Sequence, residues 1–202
     1  GGLSGLSELC EEIEMCQGCE LWRQRTQAVP GEGAEDADIL FVGEAPGWHE
    51  DQQGRPFVGP AGHFLDELLR SIGLSRRDVY IANVIKCRPP SNRDPLPTEI
   101  AACRKWLDRQ VELIKPKIIV TLGRYSLAQF FPGEPMGKAR GNARKKDGVI
   151  FFPMYHPAAA LHQGSLRKVI MEDMLKIPQL LADKVEVEVK KDEPQAEQLS
   201  MF

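Results

Sequence analysis

Residues 39–47 read Ile-Leu-Phe-Val-Gly-Glu-Ala-Pro-Gly: four apolar residues in a row, then a turn that carries a carboxylate. A strand with one wet face alternates apolar and polar residues, whereas a strand covered on both faces does not. The run ILFV therefore predicts a strand of a parallel sheet with helices on either side. Related runs follow at 79–84 (VYIANV), 117–123 (KIIVTLG) and 149–155 (VIFFPMY). Helical patterns separate them. In 62–72 the apolar residues fall at 64, 65, 68, 69 and 72, one face of a helix, and Gly73 stops it. A second helix is expected over 98–114, between Pro97 and Pro116, a short one over 125–131, and a last one over 166–182. Strand–helix alternation of this kind predicts an α/β fold, a three-layer α/β/α sandwich around a central four-stranded parallel sheet.

The chain has 202 residues, 42% of them hydrophobic, enough for one domain with a sizeable core. We expect a folded domain over 1–182 and a disordered tail over 183–202, where the chain turns charged and then polar. The net charge of −3 resides entirely in that tail, which holds six acids and three bases. Residues 1–182 are neutral, so the run from Lys138 through Arg140 and Arg144 to Lys146 stands out as a local basic patch. No apolar run approaches the length of a membrane span. The opening GGLSGLSELCEEIEMC carries acids where a leader peptide needs bases, so the expected location is cytoplasmic.

Four of the five cysteines form two pairs, Cys16-x-x-Cys19 and the later Cys87 and Cys103. In a reducing compartment that pattern favours metal ligation over disulfides, and the spacing suits either Zn²⁺ or a [4Fe–4S] cluster. Cys10 is left over, on the expected first helix.

Open parallel sheets bind ligands at the carboxyl ends of their strands. There this sequence carries Glu44-Ala45-Pro46 after the first strand, with Phe57 in the following Gly/Pro-bounded GRPFVG segment. Asn83 stands at the end of the second strand and His156 after the fourth. Each residue taken singly has an ordinary structural explanation as a cap, a turn, a core aromatic or a loop histidine. Their coincidence on one rim points to a site.

GEAPG, GRPFVG, NVIKCRPPSNRDPLP and the late HPAAAL, together with the four cysteines, closely resemble family 4 uracil-DNA glycosylases, the iron–sulfur members of their superfamily. The resemblance runs from about Cys16 to Leu180. It implies the uracil-DNA glycosylase fold and a repair enzyme that releases uracil from DNA and leaves an abasic site. It also implies a [4Fe–4S] cluster rather than Zn²⁺ on Cys16, Cys19, Cys87 and Cys103; no redox substrate site accompanies the cysteines, so a structural role is expected. Phe57 would stack on the extruded base, and Asn83 would read its N3–H and O4. Main-chain N–H groups of the Glu44–Pro46 turn, with His156, would stabilise the departing anion, while Glu44 would position or deprotonate the attacking water. Glu50 would crowd uracil C5 against thymine. Leu161 would be the wedge that enters the vacated stack, with Lys138, Arg140 and Arg144 on phosphates. Trp48-His49 stands where members carry acids, so the mouth of the pocket departs from the family in charge.

The C-terminal Gln198-Leu199-Ser200-Met201-Phe202 resembles the pentapeptide with which bacterial proteins dock on the sliding clamp, with Gln198, Leu199 and Phe202 as its anchors. The expected partners are uracil-containing DNA and that clamp, with no membrane, for a monomer associated with the nucleoid. Two other readings stay open at this point: a catalytically silent Fe–S nucleic-acid-binding module, and a superfamily relative that bonds covalently to DNA. The stretch after Arg88 lacks the basic, histidine-bearing loop of that second branch.

Overall fold

A computed structural model of the chain describes residues 4–182. The helices in chain order are α1 (Ser4–Glu14), α2 (Trp48–Gln53), α3 (Pro60–Ser71), α4 (Pro97–Ile114), α5 (Arg124–Phe130), α6 (Met136–Ala139), α7 (Ala158–His162), α8 (Leu166–Met174) and α9 (Ile177–Ala182). The strands are β1 (Glu32–Gly33), β2 (Ile39–Gly43), β3 (Tyr80–Asn83), β4 (Ile118–Leu122), β5 (Arg144–Lys146) and β6 (Val149–Met154). They form one sheet in the order β1-β3-β2-β4-β6-β5.

The four inner strands are parallel and correspond to the four expected runs. Their side chains alternate between two cores. Leu40, Val42, Ala82 and Ile119 face α1 and α4, with Leu9, Ile13, Trp106 and Leu107. Ile39, Phe41, Ile81, Val120 and Phe152 face α3, α8 and α9, with Leu65, Leu68, Ile170 and Ile177. Three layers result, and every residue of β2 and β4 is buried, which is why neither strand alternates in sequence.

Three features depart from the sequence expectation. The sheet has six strands rather than four, because short antiparallel strands β1 and β5 pair with β3 and β6 at its edges. They contain Glu-Gly and Arg-Lys-Lys, with no apolar signal, and charged residues protect an exposed edge. Second, the last helix is two: Pro178 cannot donate a main-chain hydrogen bond, so the chain restarts at Ile177 rather than continuing from α8. Third, the loops after β2 and β6 carry short helices of their own, α2 and α7.

The core order β3-β2-β4-β6 places a topological switch at β2, where successive crossovers leave in opposite directions. A crevice beyond the carboxyl ends of the strands is the usual ligand site of such sheets.

Candidate active site

Gly43 closes β2 directly beside Asn83, its partner at the end of β3. A Cβ at Gly43 would lie 2.5 Å from Asn83 Oδ1 and 2.6 Å from Phe57 Cζ, so only glycine lets amide and ring converge here. The result is a small cavity of about 50 Å³, lined by Ala45, Glu50, Phe57, Ala61, Gly62, Asn83 and His156. Four residues expected at the site (Ala45, Phe57, Asn83 and His156) thus share one wall system, together with Glu50. Pro46 is buried next to Ala45 and is not among the lining groups.

Asn83 is 2% exposed, and its Oδ1 is a buried acceptor with no hydrogen-bond partner in the protein. Buried polar atoms are rarely left so, and one that opens on a cavity marks a place for a donor from a ligand. The residue is held from behind: Lys86 Nζ donates to Asn83 O at 2.7 Å and to Gln110 Oε1 at 2.7 Å. Gln110 Nε2 in turn donates to Pro30 O at 2.8 Å.

His156 presents a defined tautomer. The Ala158 main-chain N–H donates to its Nδ1 at 3.0 Å, so in the neutral ring the proton sits on Nε2. Burial pushes the imidazole pKa down to about 4, against a smaller opposing pull from Glu50. The ring is therefore a neutral donor through Nε2–H near neutral pH. It stacks on Phe57, with centroids 5.4 Å apart and planes 23° from parallel.

Glu44 follows Gly43, and its carbonyl accepts from Ile85 N at 3.0 Å, which fixes the start of the turn. Its half-buried carboxyl is raised in pKa by burial and by nearby Asp94, while Arg124 works the other way. Glu44 does not line the cavity itself.

The segment carrying Phe57 is held by charged side chains on both sides. The Glu50 carboxylate accepts from Gly47 N at 2.9 Å, Val58 N at 3.0 Å and Gly59 N at 2.8 Å. It thus ties the loop after β2 to the Phe57 segment, a bracing role absent from the sequence reading. On the other side Arg76 donates to Pro56 O at 2.9 Å and to Phe57 O. Phe57 has a φ of +53°, a left-handed conformation that an aromatic residue seldom adopts without support. Neither Arg76 nor Lys86 was singled out from sequence. Arg76 lies nineteen residues from Phe57, and nothing local marks the pairing.

Cys87 and Cys103 are buried, Cys16 and Cys19 half-buried, and all four are free thiols. They lie within electrostatic range of one another, with Cys87 sensing Cys16 and Cys19, and Cys103 sensing Cys87 and Cys19. Trp106 Nε1 donates to Cys16 Sγ at 3.4 Å and Arg25 Nη1 to Cys87 Sγ at 3.1 Å. Among the described residues, no group of three or more His, Cys, Asp or Glu is arranged to hold a metal ion.

The residues expected to face DNA divide. Leu161 is 53% exposed on α7, not a core leucine of the last helix. Lys138 is exposed on α6. Arg140 instead donates to both oxygens of Asp173, at 2.8 and 2.7 Å, a carboxylate only 1% exposed. Arg144 forms a two-pronged pair with Glu134 and lies 4.4 Å from the Phe131 ring centroid. Both guanidiniums are thus engaged within the protein. Trp48, 51% exposed, pairs edge-on with His49. Gln198, Leu199 and Phe202 lie outside the described residues.

A parallel sheet with this strand order, and an amide, an aromatic ring and a neutral histidine gathered at its carboxyl rim, defines the class. Residues 30–176 match the family model described as the Uracil DNA glycosylase superfamily. Within it, the chain is 51% identical over 188 residues to the Type-4 uracil-DNA glycosylase of Sulfurisphaera tokodaii, covering 88% of this chain and 86% of that protein. It is 47% identical over 171 residues to the Type-4 uracil-DNA glycosylase of Thermotoga maritima, covering 82% and 89%. A Type-5 uracil-DNA glycosylase of Thermus thermophilus is 39% identical over 114 residues, 49% of this chain and 52% of that one. The chain belongs to the type-4 family of uracil-DNA glycosylases.

Proposed function

We propose that this protein is a DNA-repair hydrolase that cleaves the N-glycosidic bond of deoxyuridine in DNA, releasing uracil and leaving an abasic site. The observation that carries the proposal is the unpartnered Asn83 Oδ1 in a cavity walled by Phe57 and His156. Uracil offers N3–H to that oxygen and O4 to the amide NH₂. Cytosine presents the opposite pattern at both positions, which leaves buried groups unpaired and gives roughly 10⁴-fold discrimination or more. As the C1′–N1 bond breaks, its electron pair passes to uracil N1 and is shared with O2. The neutral Nε2–H of His156 is the donor to that developing anion, a contact whose removal typically costs about 10²–10³ in rate. Glu44 orients the water whose oxygen bonds C1′, takes up its proton, and favours the cation-like sugar by charge. Release of free uracil from a uracil-containing oligonucleotide tests the reaction. Glu44→Gln should slow release while leaving substrate affinity intact, and Asn83→Ala should remove most activity together with the preference for uracil over cytosine.

The same reading assigns a [4Fe–4S] cluster to Cys16, Cys19, Cys87 and Cys103. The chemistry of the donor set supports the assignment, although the four thiols are not gathered as a ligand group among the described residues: N–H groups of Trp106 and Arg25 donate to two of the sulfurs, as outer partners of metal ligands do. When bound, the cluster supplies structural cross-linking between the end of α1 and the loop after β3. Iron and zinc analysis with the visible spectrum distinguishes it from Zn²⁺.

The substrate is uracil-containing DNA, with Leu161 as the wedge and Lys138 as a phosphate contact. We assign clamp docking to Gln198, Leu199 and Phe202, testable by deleting residues 198–202, which should abolish clamp binding and spare oligonucleotide activity. No helix among the described residues is long and apolar enough to cross a membrane. A monomer in the cytoplasm, associated with the nucleoid, accords with the proposed role.

A further inference from the structure

Phe57 carries the stacking surface of the pocket, yet its own backbone sits in the left-handed region at φ +53°. That conformation persists only where surrounding groups over-determine it. Glu50 fixes the amide side of the segment through Val58 N and Gly59 N. The carbonyl side depends on Arg76. Its side chain is 18% exposed, and the guanidinium uses all three nitrogens: Nε to Asp66 at 2.7 Å, Nη1 to Glu32 at 2.8 Å and Pro56 O at 2.9 Å, and Nη2 to Phe57 O. Asp66 belongs to α3, and Glu32 belongs to edge strand β1, where it also pairs with Arg55 at 2.8 Å. The two carboxylates hold the fork in one orientation, and the fork presents its remaining donors to consecutive carbonyls. Gly62 allows the approach, because a Cβ there would collide with Phe57 O.

We propose that Arg76 is a positioning residue for the reaction: it sets the plane of the Phe57 ring against Asn83 and His156, and so governs affinity for the extruded base without touching it. This rests on the uracil-excision function proposed above. Lysine cannot replace the fork, since a point ammonium lacks the planar set of donors that reaches both carbonyls and both carboxylates at once.

Uracil release, inhibition by free uracil, and affinity for an oligonucleotide with an abasic-site analogue should be measured for wild type, Arg76→Lys, Phe57→Leu and the double variant. Arg76→Lys should weaken inhibition by free uracil and lower the release rate, each by about 10- to 100-fold, the scale of misplacing a binding group by about 1 Å. Affinity for abasic DNA should stay within about twofold, and the double variant should be no worse than Phe57→Leu, since both changes act through one ring. Additive losses, or unchanged uracil inhibition in Arg76→Lys, would overturn the inference. Should the lysine variant not fold, Asp66→Asn loosens the same fork and should shift uracil inhibition in the same direction; no shift overturns the inference equally. A wild-type protein that releases no uracil overturns the function and this inference with it, whereas a competent wild type with insensitive variants overturns the inference alone.

Discussion

The main-chain carbonyl of Asn83 accepts a 2.7 Å hydrogen bond from Lys86, a side chain only 1% exposed. The ammonium folds back across three residues and closes the turn that aims the Asn83 amide into the cavity. Its second acceptor, Gln110 Oε1, lies on α4, the helix that also carries Cys103, so the amide is anchored to the layer behind it.

Lys86→Met keeps most of the length of the side chain and removes both hydrogen bonds of the ammonium. It should leave two buried acceptors unpaired, each costing about 1–3 kcal/mol, partly offset by no longer burying a charge. A net loss of about 2 kcal/mol in urea unfolding is expected, with reduced uracil release at temperatures where the variant remains folded. Wild-type stability in Lys86→Met would show that the staple contributes nothing.

His156 supplies a pH prediction. Its folded pKa of about 4 lies below the ordinary 6.5, so the folded protein binds fewer protons than the unfolded chain between those values. Stability should therefore fall as pH drops from about 6.5 toward 4, and this contribution should be fully present above 6.5. Nitrogen NMR of labelled histidine at pH 6 should find Nε2 protonated and Nδ1 bare. A doubly protonated ring at that pH would contradict both the tautomer and the neutral-donor role.

The inner sheet was legible because burial on both faces leaves a mark, as in ILFV and VIFF, that polarity alone reveals. Asn83 and His156 were legible because they stand at or just past strand ends, and Phe57 because it sits in a Gly/Pro-bounded segment of the loop that follows β2. The edge strands were not: β1 is two residues long, and β5 is entirely basic. One cue to β5 was present, Asp147-Gly148, whose positive φ values of 51° and 82° form the two-residue turn into β6. Arg76 and Lys86 could not be read from sequence, because their role depends on which carbonyls the fold brings to them. The same holds for Arg140, whose place in a basic run conceals its buried partner Asp173.

That pairing separates Arg140 from Lys138. Arg140→Ala should strip the Asp173 carboxylate of its two-bond partner, leaving the Lys176 contact at 3.1 Å, and cost about 1–3 kcal/mol of stability. Lys138→Ala should leave stability unchanged and reduce the salt dependence of DNA binding by about one unit of slope. Titrations at several salt concentrations, alongside thermal unfolding, check both. A slope change in Arg140→Ala equal to that in Lys138→Ala would place Arg140 on the DNA after all.

Leu161 projects from α7, five residues past His156, and is more than half exposed, so replacing it removes little buried surface. Leu161→Ala should therefore keep the wild-type melting temperature within the narrow range of ordinary surface substitutions. Its effect should appear only where a stack must be held open. Extruding uracil from a duplex leaves a gap that an apolar side chain fills, whereas a single strand has less stacking to replace. Uracil release from duplex DNA should fall by about tenfold, the equivalent of losing roughly 1.4 kcal/mol at the wedge, while release from single-stranded DNA should stay near wild type. Equal losses on both substrates would assign Leu161 to general DNA contact, and no loss on either would remove it from the interface.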